Sequence, residues 1–103
     1  MKIVRVQYTT KPEYSDRNRE NISRVMEDLR KLNNPGIKYS SFVFDDKKTF
    51  MHLAIFESEE TQKILLELES FKQFGAELKA NGIETPPKSE NLTLAGSSYD
   101  FFK

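Results

Sequence analysis

The sequence predicts an α+β domain in which a four-stranded antiparallel sheet carries both helices on one face. Three observations support this. Apolar residues recur with period two at Lys2–Tyr8, Ile37–Phe44, Thr49–Glu57 and near Asn91–Phe102, and with helical period over about Tyr14–Leu32 and Glu59–Lys79. The resulting order, strand–helix–strand repeated twice, is that of the ferredoxin-like βαββαβ sandwich. The middle strands are apolar on both faces, and two helices cover only one, so a second copy of the chain is expected on the other. With 103 residues the chain is long enough for one domain, 1–103, and not two.

The first strand, Lys2–Tyr8, sets Val4, Val6 and Tyr8 on one face and Ile3, Arg5 and Gln7 on the other. Thr9-Thr10-Lys11-Pro12 ends it, and Ser15 or Asp16 offers an N-cap oxygen for the first helix. Ile22, Val25, Met26, Leu29 and Leu32 form that helix's apolar stripe, opposite Arg19, Glu20, Arg24, Glu27 and Lys31. Asn33-Asn34-Pro35-Gly36 stops it, because proline cannot continue a helix.

A turn centred on Asp46-Lys47 places Phe44 opposite Thr49, Val43 opposite Phe50, Ser41 opposite His52 and Tyr39 opposite Ala54. One face then holds Ile37, Tyr39, Ser41, Val43, Phe50, His52, Ala54 and Phe56. The other holds Ser40, Phe42, Phe44, Met51, Leu53 and Ile55. Ser58 caps the second helix, with Glu59 and Glu60 favourable in its first turn. Its stripe shifts phase from Ile64, Leu65 and Leu68 to Phe71, Phe74 and Leu78, which predicts a break near Ser70. Asn81-Gly82 is read as a C-cap and Thr85-Pro86-Pro87 as an extended connector. The last strand is placed from Leu92 and Leu94, through a bulge at Gly96, to Tyr99, Phe101 and Phe102.

Lys plus Arg and Asp plus Glu are both 16, and this zero balance argues against nucleic acid, whose binders draw most of their affinity from phosphate neutralisation. The absence of cysteine excludes disulfides, thiolate zinc sites, iron–sulfur clusters and thiol catalysis. It also favours a reducing compartment. The start, Met1-Lys2-Ile3-Val4-Arg5, has no signal-peptide pattern, and no stretch approaches a membrane span, so a cytoplasmic location is expected.

The run FMHLAIFESEETQKILLELESFKQFGAEL, Phe50 to Leu78, resembles the antibiotic-biosynthesis-monooxygenase type of dimeric α/β-barrel protein. The resemblance rests on a third strand leading into Phe56-Glu57-Ser58-Glu59-Glu60, a helix, Ser70-Phe71-Lys72-Gln73-Phe74, a proline-containing connector and an aromatic-rich end. It implies two sheets closed into a barrel across a twofold axis, with a pocket between the sheet and helices of each subunit. Such barrels include cofactor-independent quinone-forming oxygenases, haem-degrading enzymes, lactone isomerases and stress-responsive proteins, so the fold alone says little about function. Haem-degrading relatives carry a ligand histidine just after the Phe-Lys pair and a tryptophan that shapes the haem. Phe71-Lys72-Gln73-Phe74-Gly75-Ala76 has no histidine and the chain has no tryptophan, so no haem is expected, nor any other cofactor.

His52, the only histidine, is the natural proton carrier at neutral pH. The predicted register sets it beside Tyr39 and Ser41, where it would act as a base on a phenol or enol with Tyr39 orienting the substrate. The ordinary alternative, a buried or interface histidine satisfied by Ser41 or a carbonyl, takes precedence on sequence grounds. Arg5 and Gln7 could project into a pocket and clamp a carboxylate or carbonyl, or lie at a sheet rim paired with Glu or water. Tyr8, Tyr39 and Tyr99 are candidate phenolic donors, although strand aromatics usually pack. Asp45-Asp46 and Glu57–Glu60 read as turn and helix-start residues, and no metal-binding pattern accompanies His52. The expected function is binding, and as an enzyme oxygenating or isomerising, a small apolar or aromatic molecule. The competing expectation is a non-catalytic stress-related or ligand-binding dimer, marked by a pocket without convergent polar groups.

Overall fold

The computed structural model describes residues 1–103. Four strands, β1 (Lys2–Thr10), β2 (Ile37–Val43), β3 (Thr49–Phe56) and β4 (Ile83–Leu92), form one sheet in the order β2-β3-β1-β4. Every neighbouring pair is antiparallel, which is the ferredoxin-like topology. Three helices, α1 (Ser15–Leu32), α2 (Glu59–Glu67) and α3 (Glu69–Glu77), lie on one face, and a π turn, Leu78–Gly82, joins α3 to β4. None of the helices is long and apolar enough to cross a membrane.

The β2–β3 register is the one the turn predicts: Val43 pairs with Phe50, Ser41 with His52 and Tyr39 with Ala54. Asp46 builds that turn, its carboxylate accepting from the backbone N–H groups of Lys48 and Thr49 and from the Thr49 hydroxyl. This holds the Asp46 carboxyl below its ordinary pKa. Phe50, His52, Ala54 and Phe56 point into the helices and are buried, and Tyr8 of β1 joins them. On the opposite face only Ile3 and Ile55 are buried; Met51 and Leu53 are half-buried, and Phe42 and Phe44 are 50% and 44% exposed.

The helix break falls at Leu68, whose extended backbone (φ −65°, ψ 127°) separates α2 from α3, two residues before the predicted Ser70. Ser58 caps α2 as expected. Its hydroxyl accepts from Thr61 N–H, and the Thr61 hydroxyl accepts from Ser58 N–H. At α1 the predicted cap differs: Ser15 is the first helical residue, and its hydroxyl donates to the Lys47 carbonyl in the β2–β3 turn. α1 keeps most of its predicted stripe: Val25 is buried, Ile22 and Leu29 pack on the core, and only Leu32 is largely exposed. Asn18 and Asn21 extend the buried side towards the N-terminus, where they find hydrogen-bond partners. α1 ends at Asn33, which adopts the left-handed conformation (φ 50°) and donates its N–H to Leu29.

The final strand is the main correction. β4 occupies Ile83–Leu92, so Thr85-Pro86-Pro87 lies within the sheet, and Leu94 to Phe102, including Gly96, lies outside it. Two prolines argued against a strand, but β4 is at the sheet edge, where prolines are tolerated. The β1–β4 register shifts between Gln7 and Thr9, so Pro86 and Pro87 together sit where Tyr8 interrupts the pairing. Gly82 is not a left-handed cap, since no glycine has positive φ. A Cβ at this position would run into the Tyr14 ring, which accounts for the glycine.

Candidate functional site

A cavity of about 550 Å³ opens between the helix face of the sheet and α3. Val6, Tyr8, Tyr39 and His52 line it from the strands, and Phe71, Phe74, Gly75 and Leu78 from α3 and the π turn. Ile83, Pro86 and Pro87 of β4 close one side. The α2–α3 break creates this space. It lets α3 present Phe71 and Phe74 to the sheet, with Leu78 of the following π turn beside them, in a phase α2 does not share. α3 is tied to α1 by Glu77, whose carboxylate accepts from Arg17 Nε (2.7 Å) and Asn21 Nδ2 (2.9 Å). Those bonds hold the Glu77 carboxyl below its ordinary pKa.

A buried polar chain crosses the base of the cavity. Asn18 Nδ2 lies 2.8 Å from the Tyr8 hydroxyl, Tyr8 lies 2.7 Å from His52 Nε2, and His52 Nδ1 lies 2.9 Å from the Tyr39 hydroxyl. The rings pack as they bond: Tyr8 and His52 are stacked 5.3 Å apart, and Phe74 lies 5.5 Å from the imidazole. Burial holds His52 neutral by lowering its pKa to about 4, and burial pushes the Tyr8 and Tyr39 hydroxyls above the usual phenol range.

A neutral imidazole has one donor and one acceptor nitrogen, so the chain has a direction. As the Asn18 amide is placed, Asn18 donates to Tyr8, Tyr8 to Nε2, and Nδ1–H to Tyr39. The Tyr39 proton is then free to point into the cavity. Turning the Asn18 amide over reverses every link: Tyr8 donates to Asn18, Nε2–H to Tyr8, and Tyr39 to Nδ1. The Asn18 amide thus sets the direction, and as placed its Oδ1 is buried without a partner.

The sequence-predicted candidates separate cleanly. His52 and Tyr39 meet in the cavity as expected. Ser41 shares their face but makes no hydrogen bond to His52; it lines a smaller cavity with Arg19, Ile22 and Phe50. The imidazole turns instead towards Tyr8, one strand over, since Val6, not Tyr8, is the direct cross-strand partner of His52 and Tyr8 reaches it diagonally. Arg5 and Gln7 lie on the open face, away from the cavity. Arg5 donates to Glu90 (3.0 Å) and to Gln7, a pairing with Glu of the kind expected as the alternative, although β1 is an inner strand and not a rim. Tyr99 is exposed near the C-terminus. Asn18 was missed altogether: its only sequence signal is an i, i+4 spacing from Tyr14 on the buried side of α1.

Because His52 is charged more readily unfolded than folded, it links stability to pH. Above pH 6.5 both states are neutral and the fold is at full strength. As pH falls from 6.5 towards 4 the unfolded chain takes up the proton first, so stability declines, and the loss levels off below about 4. The expected loss is about 2 kcal/mol by pH 5. The carboxylates of Asp46 and Glu77 weaken the fold in the same direction, but only as pH falls past their ordinary values of 3.8 and 4.5. Urea midpoints at pH 7 and pH 5 should therefore differ for the natural chain and much less for His52→Gln.

The same fold occurs in solved structures of low sequence identity. A Bacteroides thetaiotaomicron VPI-5482 protein provisionally named an antibiotic biosynthesis monooxygenase superposes with a TM-score of 0.82 at 13% identity, covering 96% of this chain and 93% of that one. Proteins given the same provisional name superpose from Caulobacter crescentus CB15 (TM-score 0.76, 18% identity, 92% and 90% covered) and Nitrosomonas europaea (0.76, 15%, 96% and 100%). No protein-family model and no curated protein matches the sequence. The chain therefore has the ferredoxin-like fold of the antibiotic biosynthesis monooxygenase structures, with a cavity between its sheet and helices.

Proposed function

We propose that the cavity binds a small aromatic molecule bearing a hydroxyl group, and that the protein is a cofactor-independent monooxygenase acting on it. The observation that carries this reading is the Tyr8–His52–Tyr39 chain at the base of an otherwise apolar cavity. Convergent polar groups of this kind are what a purely passive apolar pocket lacks.

The substrate hydroxyl docks on Tyr39. In the direction where Tyr39 donates to Nδ1, its oxygen accepts the substrate proton as its own moves to His52, leaving a phenolate and an imidazolium. Burial disfavours both charged groups, so this transfer is uphill and the phenolate forms only as dioxygen consumes it. The electron-rich ring carbon para to the oxygen then adds dioxygen, and the resulting peroxide takes the proton back from His52. Loss of the ring C–H proton with hydroxide, as water, leaves a quinone. For 1-naphthol the sum is naphthol plus dioxygen giving 1,4-naphthoquinone plus water, with no outside reductant.

We further propose that the open sheet face, with Phe42, Phe44, Met51 and Leu53, packs against a second copy, closing the two sheets into a barrel. The cavity lies on the opposite, helix-covered face of the sheet. Native mass spectrometry with 1-naphthol tests both parts. The expected species is a dimer that binds one naphthol per chain. Leu53→Asp, on the open face, should give folded monomers. Ala54→Asp, which points into the core, should unfold the chain instead. A monomeric natural chain would remove the barrel, and a dimer that takes up no naphthol would remove the pocket reading.

A further inference from the structure

Exposure separates a floor from a rim among the twelve residues around the cavity, with Val6, Tyr39, Phe71 and Ile83 between them. Tyr8, His52, Phe74 and Leu78 are buried, whereas Gly75, Lys79, Pro86 and Pro87 are exposed. With His52 neutral, Lys79 is the one charged group among them. The widened turn at Leu78–Gly82 brings the consecutive residues Leu78 and Lys79 both onto the cavity, one at the floor and one at the rim. Such π segments are frequent at functional sites.

Nothing in the chain neutralises Lys79. The ion pairs of the molecule join Arg5 to Glu90, Arg17 to Glu20 and Glu77, Lys31 to Glu27, Lys48 to Glu84 and Lys103 to Asp100. Glu77, two residues away, is committed to Arg17 and Asn21. One turn before Lys79 stands Gly75, where a Cβ would meet no atom within 4 Å. The rim at Gly75 is therefore open, and Lys79, Pro86, Pro87 and Phe71 line the same cavity.

We propose that the cavity selects hydroxy-aromatic molecules that also carry an acidic group, the anion pairing with Lys79 at the rim while the hydroxyl meets Tyr39 within. This rests on the hydroxy-aromatic reading of the pocket and adds the charge of its ligand. A long flexible cation at an exposed rim contributes modestly to affinity, so its effect is discrimination between ligands of the same shape.

Fluorescence titration at low salt with 5-hydroxy-1-naphthoate and with uncharged 1-naphthol tests this. The carboxylate should bind the natural chain about fivefold more tightly, a partly exposed ion pair's worth. Lys79→Met should bring the two compounds to equal affinity, Lys79→Arg should keep the preference, and salt should shrink it. Equal binding of the two compounds, or a preference that survives Lys79→Met, would overturn the Lys79 assignment while leaving the hydroxy-aromatic pocket standing. If neither compound binds, the pocket reading fails, and this inference with it.

Discussion

His52→Gln is expected to lower dioxygen uptake with 1-naphthol by about 10²- to 10⁴-fold, the usual contribution of a positioned general base. Glutamine is the informative replacement. It can still bond to Tyr8 and Tyr39 through an amide oxygen and nitrogen, so the buried hydroxyls keep partners, but it cannot take up a proton. The expected pattern is a fall in kcat with little change in KM, because the proposed mode docks the substrate hydroxyl on Tyr39 and the ring on Phe71 and Phe74. His52→Ala would confuse the result, since it leaves two buried phenols without their shared partner. Equal oxidation rates for the natural chain and His52→Gln would remove the base assignment. The site would then be a ligand-binding pocket, and the non-catalytic dimer would become the better account.

Gly82→Ala should destabilise the fold more than any other glycine-to-alanine change. A Cβ at Gly82 would lie 2.3, 2.6 and 2.7 Å from three ring carbons of Tyr14. Tyr14 cannot easily yield: its ring is buried at the start of α1, and burial raises its hydroxyl pKa. Gly82 is also fixed, since its carbonyl accepts from Lys11 N–H at 2.8 Å. Overpacking of this kind costs about 1–3 kcal/mol. For a domain of about this size each kcal/mol lowers Tm by roughly 4–8 °C. Gly75→Ala has the opposite sign. Its Cβ meets nothing, and alanine is the better helix former by about 0.5–1 kcal/mol, so Tm should rise. Thermal melts of the two variants followed by circular dichroism separate the cases. A Gly82→Ala chain that melts with the natural one would mean that Tyr14 is free to move.

These effects also show why parts of the molecule were legible in the sequence and others were not. Local signals held. Asp46 sets a tight turn, and the β2–β3 register follows from it residue by residue, which correctly places His52 and Tyr39 on one face. The phase shift between Leu68 and Phe71 marks the helix break that opens the cavity. Non-local pairing carried the rest. Tyr8 reaches His52 only through the β1–β3 register, which no turn connects. Asn18 is buried because its amide meets Tyr8, and polar residues on a helix ordinarily read as solvated. Arg5 and Gln7 alternate as predicted, but which face meets the helices depends on Val4, Val6 and Tyr8 being the larger apolar set. β4 was displaced because Pro86 and Pro87 look like a connector, whereas their missing N–H groups fall at an edge strand where the register with β1 is interrupted. The aromatic end of the chain, Tyr99 to Phe102, mimicked the strand that precedes it.

The most direct test is the ¹⁵N spectrum of the imidazole, free and with 1-naphthol. His52 is the only histidine, so its nitrogens are unambiguous. The ring should be neutral at pH 7 and titrate only near pH 4, and its ¹⁵N shifts should move saturably if naphthol binds to Tyr39 and redirects the hydrogen-bonded chain. An imidazole that titrates near 6.5, as in open solution, or one that is unmoved while naphthol binds, would contradict a buried proton relay at the base of the cavity.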